Sequence, residues 1–133
     1  MGGARPKSLL ERWREAGDGG DFDAFDRYLH QDVVVHVPLG LSSRGIEAEK
    51  GVWRDALAAM PDLRHDVQDV LRSDNAMAAR VVVTGTLVEA FAGVEPTGTP
   101  FRLDQVVWAS LRGDKAIEVW EIADVGVLLR RAT

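Results

Sequence analysis

The stretch "MPDLRHDVQDVL", Met60 to Leu71, is where the chain changes its period. Upstream, "RGIEAEKGVWRDALAAM" sets Ile46, Val52, Trp53, Ala56, Leu57 and Met60 on one side of a predicted helix, with Ser43 as its cap and Pro61 as its stop. Downstream, Leu63, His65, Val67, Asp69 and Leu71 alternate with Arg64, Asp66, Gln68 and Val70, the period of a half-buried strand. A helix hands over to a sheet at Pro61.

Three more strands follow: "AMAARVVVTGTLV", "FRLDQVVWASL" and "AIEVWEIA". The turns "RSDN" and "RGDK" and the Gly/Pro-rich excursion "EAFAGVEPTGTP" join them into a four-strand antiparallel meander. Towards the N-terminus, "SLLERWREA" stripes Leu9, Leu10, Trp13 and Ala16 along a helix that "GDGGD" ends. Asp21 is the expected N-cap of a second short helix, "FDAFDRYL", and "DVVVHVP" is a short strand near a sheet edge. Helices first and strands second, without βαβ units, predict a single α+β domain over residues 1–133. A strongly curved antiparallel sheet with three helices across its concave face leaves a cone-shaped space, and polar residues in apolar rows would line it.

Composition narrows the function. At 133 residues, 46% hydrophobic, 28% charged and net charge −5, the chain is an ordinary globular one. Its Lys and Arg are scattered without a basic run, so nucleic acid is not an expected partner. Cys is absent, which excludes disulfides, thiolate zinc sites and cysteine nucleophiles. The three His lack metal spacing, so no metal is expected. "MGGARPKSLLERW" has no apolar signal core, and no run approaches the roughly 18 to 20 residues of a membrane helix. A cytoplasmic protein with no membrane contact is the expectation. There is neither a phosphate-binding Gly loop nor a nucleophile elbow.

The candidate chemistry sits in the last hairpin. One row of the third meander strand runs Phe101, Leu103, Gln105, Val107, Ala109, Leu111, apolar except for Gln105. One row of the fourth runs Ile117, Val119, Glu121, Ala123, apolar except for Glu121. By parity the two polar residues point the same way. Burial would raise a Glu pKa towards neutrality, as a general acid or base needs, and the amide could orient it or hold a carbonyl. His36 lies in the row Val34, His36, Pro38, which faces either cavity or solvent. His65 and Asp69 suggest a polar pair in one row; Arg80 shares its row with Val82, Thr84 and Thr86, and Asp104 lies opposite in parity to Gln105. Trp13, with Trp53, Phe22 and Phe25, fits either a core or a ligand platform. Trp13, His65, Arg80 and Val107 are the substrate-contact candidates.

The order helix, helix, "YLHQDVVVHVPLG", helix ending "MPD", strand, "ARVVVTGT", "GVEPTG", strand, "EVWEIADVGVLL" resembles the SnoaL-like polyketide cyclase family of the nuclear transport factor two-like superfamily, from about Leu9 to Leu129. The resemblance implies a usually dimeric α+β cone with a deep hydrophobic pocket and no cofactor. It implies a small-molecule substrate, a polyketide closed by intramolecular aldol addition. In such cyclases a carboxylate three residues before a final Asp acts as acid/base, which Glu121 matches ahead of Asp124; a pocket Gln is matched by Gln105. The family's His two residues after that Gln is Val107 here, and the resemblance makes His36 the candidate second polar catalyst, supplying the missing imidazole from across the pocket. Related epoxide hydrolases use an Arg-x-Asp pair where this chain has Arg80-Val81-Val82, and the ketosteroid isomerase base position is Val37. Epoxide opening by cyclisation or hydrolysis, and a non-catalytic ligand-binding or dimerisation domain, are the alternatives.

Overall fold

The computed structural model describes residues 6–130, so both ends of the expected 1–133 domain lie outside the described residues. Helix α1 spans Leu9–Asp18 and is followed by a 3-10 helix, Phe22–Arg27. Strand β1 is Leu29–His36, β2 is Ser43–Arg44, and α2 is Ile46–Ala59. The meander is β3 (Arg64–Arg72), β4 (Ala76–Thr86), β5 (Pro100–Arg112) and β6 (Lys115–Ala123), before a final α3, Gly126–Arg130. The strands form one curved, open six-strand sheet in the order β2-β1-β6-β5-β4-β3.

The α+β class and the four meander strands are as the periodicity predicts. The first strand lies near a sheet edge, as expected: β1 pairs in parallel with β6, Val35 against Val119, and only β2 lies outside it. The second helix is a short 3-10 turn in which Asp21 makes no capping bond. Ser43 does not cap α2, whose N-cap is Gly45; the Ser43 hydroxyl goes elsewhere, to Glu49. Helix α1 is closed by a capping box, Ser8 Oγ accepting from the Glu11 amide and Glu11 Oε1 from the Ser8 amide. Asp62 accepts from the amide and hydroxyl of Thr86 at 2.7 and 2.8 Å, tying the exit of α2 to the end of β4.

Strand β5 shows how the sheet makes its core. Phe101, Leu103, Gln105, Val107 and Ala109 are buried, and the residues between them are exposed. Val81, Val107 and Val119 are fully buried on the same face, each contributing roughly 1.5 to 3 kcal/mol. Trp13, Phe25 and Trp53 pack edge-on or tilted at centroid distances of 5.9 to 6.5 Å. Helix α1 crosses this cluster at Gly17, where a Cβ would lie 2.4 Å from the Trp53 ring. In a free helix Gly→Ala gains about 1 kcal/mol. Here the indole is held by its bond to Glu49, so overpacking costing about 1 to 3 kcal/mol outweighs that gain. Gly17→Ala is therefore expected to lower the melting temperature; a higher one would mean that Trp53 can move.

Candidate active site

Glu121 interrupts the inner row of β6, and the register decides where it goes. It pairs with Val107, which is fully buried, so its side chain enters the helix-covered face. Gln105, two residues along β5 and opposite Ala123, points the same way. Both line one cavity of about 130 Å³, roofed by Trp53 and Ala56 of α2 and walled by apolar side chains such as Val83 and Leu103. A single water needs only about 10 to 15 Å³. The Gln105 side chain is 8% exposed and its Oε1 accepts no hydrogen bond among the described residues. That leaves an acceptor in an apolar chamber for a ligand's donor.

Glu121 has a partner the sequence reading missed. Arg14 Nη2 donates to Glu121 Oε2 at 2.5 Å, the two side chains being 1% and 10% exposed. The guanidinium lies 4.4 Å from the Trp13 ring and 5.6 Å from that of Trp53, so α1 delivers the charge through an aromatic wall. A second missed group is Glu49 of α2, 1% exposed, which also lines the cavity. Its Oε1 accepts from the Ser43 hydroxyl at 2.8 Å and its Oε2 from the Trp53 indole N–H at 3.0 Å. Burial first, then the negative charge of Glu121, push its pKa up to about 8, against weaker lowering by these bonds and by Arg14. Burial thus favours the neutral acid at Glu49, close to a second carboxyl group held by Arg14, a division of roles suited to acid/base work.

The Glu49 shift is also a statement about stability. Its pKa is raised in the folded state, so folding retains a proton that the unfolded chain releases. The stability present in acid is lost as pH rises from the ordinary carboxylate range through about 8, at about 1.4 kcal/mol per pH unit. Glu49→Gln should remove that slope. Denaturant unfolding from about pH 6 to about pH 8 should show the parent weakening relative to the variant; parallel curves would mean that Glu49 is ionised throughout.

The other expected site residues, His65 excepted, do not gather here. Val35 and Val119 face inward, so His36 and its register partner Trp120 face outward. His36 is 42% exposed, bonded to Glu118 at 2.7 Å and stacked on Trp120, which corrects the expectation of a pocket imidazole from β1. Arg80 is likewise outside, bonded through Nε and Nη2 to Asp69 at 3.0 and 2.7 Å. A register shift between Val67 and Asp69 turns Asp69 out of the His65 row, so the expected His65–Asp69 pair does not form. Asp104 is exposed. Trp13 and Val107 are fully buried in the core and do not line the cavity. His65 does line it, with Asp18 as its partner.

A signal for the missed pair was available. Ile46, Glu49, Trp53 and Ala56 fall at helical spacing on the buried stripe of α2, and Leu10, Arg14 and Gly17 do so on α1. Among the described residues no cluster of His, Asp and Glu is arranged to hold a metal ion, and no helix is long and apolar enough to cross a membrane.

A family model described as SnoaL-like polyketide cyclase matches residues 7–131. Among solved structures, IdmH of Streptomyces antibioticus, a candidate polyketide cyclase, is 29% identical with a TM-score of 0.80, over 92% of this chain and 94% of that one. TsrD of Streptomyces laurentii is 22% identical with a TM-score of 0.82, over 93% and 91%. A candidate SnoaL-like polyketide cyclase of Jannaschia sp. CCS1 is 18% identical with a TM-score of 0.83, over 98% and 97%; these last two likenesses bear on the fold alone. No curated protein matches significantly.

Proposed function

The chain belongs to the SnoaL-like polyketide cyclase family, and from that premise we propose that it closes a ring on a hydrophobic, oxygenated, polyketide-like small molecule by acid/base catalysis. The observation that carries this reading is Glu121, held by Arg14 at the wall of an otherwise apolar cavity beside Gln105, whose Oε1 has no partner among the described residues. Glu121 takes the proton from a carbon next to a carbonyl. Gln105 Oε1 accepts from a substrate hydroxyl and fixes the ring. The carbanion attacks a second carbonyl carbon, a C–C bond forms as the π bond of that carbonyl breaks, and the new alkoxide takes back the proton that Glu121 holds. Low dielectric strengthens each of these contacts relative to water.

The test uses an acetophenone bearing an ortho hydroxyl, a one-ring stand-in for the reacting end of such a substrate. In deuterium oxide the protein should load deuterium into the methyl group well above the buffer rate, read by mass spectrometry. A probe that binds without exchanging would refute the assignment of Glu121 as base and favour a binding domain. Glu121 flanked by Arg14, with Glu49 and its raised pKa close by, favours one other reading, the activation of a hydroxyl or water against an epoxide. Turnover of styrene oxide in place of exchange into the ketone would select it.

The partner proposed for the outer sheet face is a second copy of the chain. Val106, Trp108 and Ile122 are 46%, 49% and 67% exposed there, and Val106 pairs with Ile122 and Trp108 with Trp120 to make one apolar patch. Trp108→Glu should convert a sedimenting dimer into a monomer; a parent that sediments as a monomer at every concentration rules the dimer out.

A further inference from the structure

We propose that His65, oriented by Asp18, is a second polar anchor of the cavity and binds a phenolic or enolic hydroxyl on the part of the substrate remote from Glu121. The inference rests on the reading of this cavity as the substrate site, and it adds a contact which that reading does not use.

The placement follows from β3. His65 pairs with Val83, and both line the cavity, so the imidazole faces the same chamber as Gln105 and Glu121. Asp18, the last residue of α1, holds the ring from behind. Its Oδ1 lies 2.7 Å from Nδ1, and its Oδ2 accepts from the His65 backbone amide at 2.6 Å. A carboxylate with both oxygens engaged in this way fixes the ring and keeps the proton on Nδ1. The Trp53 ring, 5.0 Å away, braces one face of the imidazole. Nε2 makes no hydrogen bond among the described residues, and His65 is one of the side chains that line the cavity.

The ligand chemistry follows from Nε2. With Nδ1 protonated, an uncharged ring offers Nε2 as an acceptor and a charged ring offers it as a donor. An acidic hydroxyl satisfies both cases: phenol against imidazole, or phenolate against imidazolium, is one proton shared along one bond. An ether satisfies only the charged ring, and a plain hydrocarbon satisfies neither. His65 stands three strands from Glu121 in the order β6-β5-β4-β3, at about 4.8 Å per strand. This hydroxyl is therefore not the group that reacts at Glu121. The substrate carries oxygen at two separated places on an apolar frame, as a partly cyclised polyketone does.

The test compares naphthol with its methyl ether. Binding is followed by titration, and the imidazole nitrogens by NMR. The parent should prefer naphthol by about tenfold, the scale of one good hydrogen bond, and naphthol should shift the His65 Nε2 resonance more than Nδ1. His65→Leu should lose the preference while still binding the ether. Asp18→Asn, which removes the carboxylate but not the imidazole, should weaken the preference and change the tautomer signature. The parent spectrum needs no variant, so it decides the matter if His65→Leu does not fold. Equal affinity for the two probes, or an unmoved Nε2, overturns the proposal. So does a probe that perturbs Lys7 and Glu15, in the outer groove behind His65, and leaves the Trp53 indole untouched. Deuterium loading of the ketone by the parent, with no response at His65, would leave Glu121 standing and remove His65 alone.

Discussion

Replacing Arg14 with methionine is expected to lower the unfolding free energy by about 3 to 5 kcal/mol, the usual cost of taking one partner from a buried ion pair. The guanidinium is 1% exposed and supplies the counter-charge at 2.5 Å to Glu121, itself only 10% exposed. Without it a carboxylate is left in an apolar wall close to Glu49, whose own pKa is already pushed up partly by the charge of Glu121. Two effects oppose the loss. Arg14 Nε and Nη1 are buried without partners among the described residues, and removing them recovers part of the loss. Methionine also keeps some packing against Trp13 and Trp53. The stranded carboxylate still dominates, since it must either stay charged or take up a proton at neutral pH. The pair Arg14→Met with Glu121→Leu separates these terms, because replacing both charges removes the stranded one and should restore most of the stability. Denaturant unfolding measures all three chains. A single variant within about 1 kcal/mol of the parent would show that the ion pair contributes little.

The ease with which the fold was read, and the difficulty of the site, have one physical cause. Period two and period 3.6 are local, so β3 to β6 and both long helices follow from apolar spacing and from Pro61. Parallel pairing of β1 with β6 joins segments more than eighty residues apart, and nothing in "DVVVHVP" specifies it; that register alone sends His36 outward. Parity also fails wherever a strand gains a residue. The shift between Val67 and Asp69 turns Asp69 to the surface, and one between Ser110 and Leu111 lies just beyond the Gln105 and Glu121 rows and leaves their common orientation intact. Arg14 and Glu49 were hidden for another reason. A charge on a buried helical stripe is intelligible only with its partner, and Arg14 meets Glu121 across 107 residues of chain.

Glu121→Gln is expected to cut exchange and ring closure by about a hundredfold to ten-thousandfold, the range a positioned general base supplies, while leaving ligand affinity near that of the parent. The amide has the carboxylate's shape, and its oxygen can still accept from Arg14 Nη2, so cavity and hydrogen bond persist. What is lost is the lone pair basic enough to take a carbon-bound proton. Removing the charge also relieves Glu49, whose pKa should fall from about 8 because one of its raising causes is gone. Glu49 cannot replace the lost base: its oxygens are engaged by Ser43 and Trp53. Gln105→Leu makes the contrast, since it removes the acceptor and keeps the base. It should weaken binding of the hydroxylated ketone by about tenfold, one hydrogen bond's worth, with a smaller loss in the rate at saturation. If Glu121→Gln exchanged the ketone's methyl protons within a few-fold of the parent rate at equal occupancy, the base would have to lie elsewhere on the cavity wall. His65 is the side chain to test in its place, because it lines the same cavity and Asp18 engages only its Nδ1.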